Sequence, residues 1–98
     1  MTDRNVYLEK AKAQLQKLDA EIDKLAADAK SAQADTKVAL EDQLRDLRAK
    51  RDEMSSKYDE LATASGDAWL ELKSGFDEAG KSVSYAVDNA IKTLKKAA

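Results

Sequence analysis

The chain has 98 residues, a net charge of −2 and 37% charged residues, with no cysteine, histidine or proline. That composition excludes a disulfide framework, thiol chemistry and a zinc or haem site of the usual kind, and it bounds the protein to a single domain with a modest core. A pI near 5.2 and scattered basic residues argue against nucleic acid as the main partner.

From Leu8 the apolar and small positions run Leu8, Ala11, Leu15, Leu18, Ile22, Leu25 and Ala29. Their alternating steps of three and four form a heptad seam on a helix that Thr2 or Asp3 can cap. The segment Lys30 to Ala39, KSAQADTKVA, follows. Joining the first seam to the next through it requires successive steps of four, a phase slip of the stutter type. Because the segment lacks Gly and Pro and is rich in alanine, helix propensity favours continuity across it, with a turn at 30–39 as the alternative.

The second seam is Leu40, Leu44, Leu47, Arg51, Met54, Tyr58, Leu61 and Ser65. Its flanks place acid four residues before base at Glu41 and Arg45, Asp46 and Lys50, and Glu53 and Lys57, the better orientation for helix support. Arg51 stands where the seam expects an apolar side chain. It reads as a register device paired to a carboxylate or snorkelling from the seam edge, in preference to an anion contact. Thr63 to Asp67, TASGD, then marks a firm turn. Gly66 suits the left-handed position after a helix, and Asp67 is placed to cap the next one. Ser65, Gly66 and Asp67 are the expected turn residues.

Beyond the turn, Trp69, Gly80 and Ile91 are spaced by eleven, as are Leu72, Val83 and Leu94, and Phe76, Val87 and Ala98. An eleven-residue period is about 3.67 residues per turn, so these positions share one helical face. Trp69, Leu72, Phe76, Val83, Val87, Ile91 and Leu94 are the expected packing surface of this last helix. Gly80 lies on the same face, where either a missing side chain lets a neighbour approach or leaves room for a bulky residue opposite, or glycine is merely tolerated.

The expected fold is therefore all-α: a helix over about 5–63, a turn at 65–67 and a returning helix over about 67–96, packed as a helical hairpin. A three-helix antiparallel bundle is the alternative if the chain breaks near 30–39. In the hairpin the returning helix reaches only half of the long one, since each helix rises about 1.5 Å per residue. Leu8, Leu15, Leu18, Ile22 and Leu25 are then left for a second copy, which predicts a homodimer or higher homo-oligomer.

No phosphate loop is present, and nucleophilic triads need His or Cys that the chain lacks. The acidic groups Asp19, Glu21 and Asp23, and Asp52, Glu53, Asp59 and Glu60, fit no calcium-loop spacing and fall on wet faces. The sequence thus predicts no catalytic residues, no metal and no cofactor. With no apolar h-region in 1–11 and no apolar run of bilayer length, it predicts a cytoplasmic protein.

With MTDRNVYLEKAKAQLQKLDAEIDKL, LRAKRDEMSSKYDEL and ASGDAWLELKSGFDEAGKSV, the chain resembles small bacterial coiled-coil stress-response proteins of a type first noted in cyanobacteria, with apolipoprotein-like amphipathic helices. Ser65 to Trp69 and Leu72 to Phe76 are the most specific part. The resemblance implies a non-enzymatic helical protein and carries over no ligand residues. Two functions follow: a structural or interaction protein that self-associates through its seams, or a lipid-surface or client-binding protein that opens its last helix. The second is less favoured, because interfacial helices usually carry a basic polar face and here acids balance lysines from Asp67 onward.

Overall fold

The computed structural model describes residues 3–97, which form three α-helices: α1 (Asp3–Lys30), α2 (Ala34–Ala62) and α3 (Gly66–Ala97). Consecutive helices run antiparallel in a rod of 50 × 19 × 16 Å. The architecture is all-α with three helices, and among the described residues there is no strand.

In this single chain a turn at Ser31–Gln33 replaces the continuous helix over about 5–63. The last bonds of α1 tighten, Ser31 N–H to Asp28 O and Ala32 N–H to Ala29 O, each at 3.2 Å. Gln33 is extended, with φ −64° and ψ 157°, and α2 starts after it without a side-chain cap. Helix propensity argued for continuity, yet its advantage over three residues is at most a few kcal/mol. Folding α1 back buries Leu15, Leu18, Ile22 and Leu25 to 7% exposure or less. At about 1.5 to 3 kcal/mol for each large aliphatic side chain, that burial outweighs the propensity.

The second turn also differs from expectation. Gly66 is the first residue of α3 and has no left-handed φ, so it does not end α2. Asp67 lies in the first turn of α3, where its charge suits the helix dipole, and Ser65 O accepts the Ala68 N–H at 3.2 Å. The end of α2 is covered differently. Its last turn has no basic residue of its own, and Arg4 of α1 supplies one by donating to Leu61 O at 3.3 Å and Ala64 O at 2.5 Å. A cation at a helix C-terminus satisfies carbonyls that a glycine motif would otherwise take. Asp3 begins α1, and the alternative cap Thr2 lies outside the described residues.

The core takes Ala11, Leu15, Leu18, Ile22, Leu25 and Ala29 from α1, Leu40, Leu44, Leu47, Met54 and Leu61 from α2, and Phe76, Val83, Val87 and Ala90 from α3. Phe76, Val83, Val87, Ala90 and the half-buried Leu94, with the buried Gly80 between, step by four and three. This is a heptad seam like the other two, so Ala90, which the eleven-residue spacing passes over, is fully buried. Ala98, the last member of that spacing, lies outside the described residues.

The two glycines inside α3 differ in surroundings. A Cβ on Gly80 would stand 3.0 Å from Gln14 Nε2 and 3.2 Å from Met54 Cε, so the space is filled by side chains of both other helices. At Gly75 the nearest atom is Lys57 Nζ at 4.0 Å. Gly75→Ala is therefore expected to stabilise the fold by about 1 kcal/mol, seen as a raised denaturant midpoint, because it removes backbone entropy without a clash.

Candidate functional site

At the end where α1 starts, α2 ends and α3 starts, the structure brings together Tyr7, Tyr58, Trp69 and Phe76 with Arg4, Lys73 and Asp77. Tyr7 lies edge-on to Trp69 at 5.6 Å and to Phe76 at 6.3 Å between ring centroids, and Tyr58 meets Phe76 at 6.2 Å. Arg4 sits 4.6 Å above the Trp69 ring, and Lys73 4.9 Å from the centre of Tyr7. Edge-to-face rings and cation–π contacts each add a little beyond area burial. Together they fasten α1 to the α2–α3 pair at one end.

The Tyr7 hydroxyl donates to Asp77 Oδ1 at 2.5 Å. Burial foremost, then this hydrogen bond and the negative charge of Asp77, raise the Tyr7 pKa well above its ordinary value of 10.0. A raised folded-state pKa means that the unfolded chain releases the phenol proton first as pH rises. The stability contributed by neutral Tyr7 is complete below about pH 10 and declines above it. In Tyr7→Phe that part of the alkaline decline should vanish, which thermal unfolding of parent and variant between about pH 9 and pH 11 measures.

Farther along, Arg51 grips Asp19 with two bonds, Nε to Oδ1 at 2.6 Å and Nη2 to Oδ2 at 2.9 Å. This ties the middle of α2 to α1, and Arg51 also reaches Asp52 at 3.2 Å. Near the opposite end Gln43 Nε2 donates to Thr93 Oγ1 at 3.0 Å, while the single hydroxyl proton of Thr93 goes to Asn89 O at 3.1 Å. On the outer face of α2, Lys50 bonds Asp46 at 2.6 Å and Arg45 pairs with Asp42 in place of Glu41.

Of the residues expected on the packing face of α3, Phe76, Val83 and Val87 are buried at 1% exposure or less, and Trp69, Leu72, Ile91 and Leu94 are half-buried against the core. Trp69 is thus a rim residue. The residues expected to face a second copy are divided from that role in the single chain. Leu15, Leu18, Ile22 and Leu25 lie in its own core, with Leu8 packed at the edge. The folded-back α1 removes the exposed row of leucines that the hairpin would leave.

Grooves along the α2–α3 seam are shallow and open, one lined by Lys50, Glu53, Lys57 and Glu78, another by Gln43, Asp46, Tyr85 and Asn89. Among the described residues no group of three or more acids is arranged to hold a metal ion, and no helix is long and apolar enough to cross a membrane. Compared with family models, curated proteins and solved structures, the chain matches none.

Sequence reasoning missed Arg4 and Tyr7. Their signal was present: Arg4, Tyr7 and Ala11 step by three and four, extending the first seam to the start of α1.

Proposed function

We propose that this chain is a non-enzymatic helical interaction protein that acts as a homo-oligomer, its amphipathic seams serving both the fold and self-association. The observation that carries the reading is where its polar chemistry goes. Arg4, Tyr7, Asp77, Arg51, Asp19, Gln43 and Thr93 all bind one helix to another. Side chains committed to holding helices in register build a stiff rod, which suits a scaffold or binding module. The resemblance to coiled-coil stress proteins, carried by Ser65 to Trp69 and Leu72 to Phe76, points the same way.

Under this reading the helical hairpin, with a helix over about 5–63, is the assembled form, and the seam Leu8, Leu15, Leu18, Ile22 and Leu25 is the surface covered by a second copy. Light scattering after refolding over a wide concentration range tests it. A mass rising above the 10.8 kDa of one chain supports self-association. One-chain mass at every concentration removes it.

A further inference from the structure

The two turns of the bundle are held very differently. At the α2–α3 turn, Arg4 binds Leu61 O and Ala64 O and packs on Trp69, so three segments are clasped at once. The α1–α2 turn has no comparable device. No glycine, no proline and no positive φ enforces it, and α2 begins without a side-chain cap. Gln33 has extended backbone directly before the first helical bond of α2, Lys37 N–H to Gln33 O at 2.8 Å. The flanking residues Asp28 to Asp35 read DAKSAQAD, a sequence with ample helix propensity. Returning Ser31–Gln33 to helical backbone would join α1 and α2 into one helix from Asp3 to Ala62.

Straightening one chain alone would strip α1 of its partners and expose its leucines. Two chains that straighten together lose nothing of that kind, because each α1 can lie on the α2 and α3 of the other. Every core contact of α1 is then remade between copies, the Arg51–Asp19 ion pair and the Tyr7–Trp69–Phe76 cluster included, while α2 and α3 of each chain stay packed together. The exchange adds helical hydrogen bonds at the former turn. Short hinge loops are the usual place for such an exchange, and rigidifying them opposes it.

We infer that the partner of this chain is a second copy of itself, reached by opening the Ser31–Gln33 turn and exchanging α1. This rests on the self-association proposed above and gives its interface: the interior seam, shared between chains. Exchange requires α1 to leave its own bundle, so the dimer forms on refolding at high concentration and interconverts slowly with the monomer.

Two sets of variants test it. Ala34→Pro places proline at the first position of α2, where the missing N–H costs nothing, and holds Gln33 in the extended conformation it already has. The same proline would sit inside the straightened helix, so the variant should keep the folded monomer and weaken the dimer at least about a hundredfold. The second set uses the Arg51–Asp19 pair. In Asp19→Arg or Arg51→Asp alone, like charges meet at the α1–α2 contact of both the bundle and an exchanged homodimer. Co-refolding the two variants restores opposite charges at both contacts, but only when α1 of one chain lies on α2 of the other. With the two variants in equal amounts, random pairing gives as much heterodimer as the two homodimers together, and the expected result is a heterodimer in about tenfold excess over the homodimers, read by ion exchange and native mass. If the parent self-associates but Ala34→Pro dimerises equally well and the mixed variants stay separate, the exchange is overturned while self-association stands. If the parent never exceeds one chain after refolding, both fall.

Discussion

Replacing Phe76 by alanine is expected to lower stability by about 3 to 5 kcal/mol, a large part of what a domain of this size has. Phe76 is 1% exposed, meets the rings of Tyr7 and Tyr58, and lies where all three helices converge. Its removal leaves a cavity bounded by side chains from each helix, and rings held by separate elements cannot all relax into it. Trp69→Ala should cost clearly less, since Trp69 is only half-buried and its loss opens the rim to water. Equal rank for the two residues, as their shared stripe suggests, is therefore not expected. Guanidinium midpoints of both variants measure the difference, and a Trp69 loss as large as that of Phe76 would speak against the rim placement.

Leu18→Lys should be comparably severe. Leu18 is 4% exposed in the centre of α1, between Leu15 and Ile22. The substitution forfeits at least the about 2 to 5 kcal/mol of a Leu→Ala change and forces an unpaired ammonium into the core. The expected outcome is lost cooperative unfolding by circular dichroism. On an exposed dimer seam the same change would leave a well-folded monomer. A folded, stable Leu18→Lys chain would thus contradict the intramolecular burial of α1.

Much of the helical content was legible because the seams repeat at three and four and no proline intervenes. Leu15, Leu18, Ile22 and Leu25, like Leu40, Leu44, Leu47, Met54 and Leu61, stand on buried faces. Arg51 broke the pattern where a cross-helix carboxylate, Asp19, receives it. The turn at Ser31–Gln33 was legible only as the alternative break at 30–39 with its three-helix arrangement, because its residues lack Gly and Pro and the burial gained by α1 selects it. That burial depends on contacts between positions far apart in sequence, which local propensity does not register. For the same reason the role of Arg4 stayed hidden: a carbonyl sixty residues away, Ala64 O, gives the side chain its use. At Gly66 the reverse occurred. A residue with strong turn chemistry was read as the left-handed end of α2, whereas Arg4 closes that end and glycine simply starts α3.

The placement of α1 against α3 is the claim on which the site, the stability predictions and the exchange all rest. Proton cross-relaxation between aromatic rings tests it most directly, whether the contact lies within one chain or between exchanged copies. The account predicts cross-peaks from Tyr7 to both Trp69 and Phe76, whose ring centroids lie 5.6 and 6.3 Å from its own. Their absence, with Tyr7 showing the shifts of a solvent-exposed ring, would contradict it.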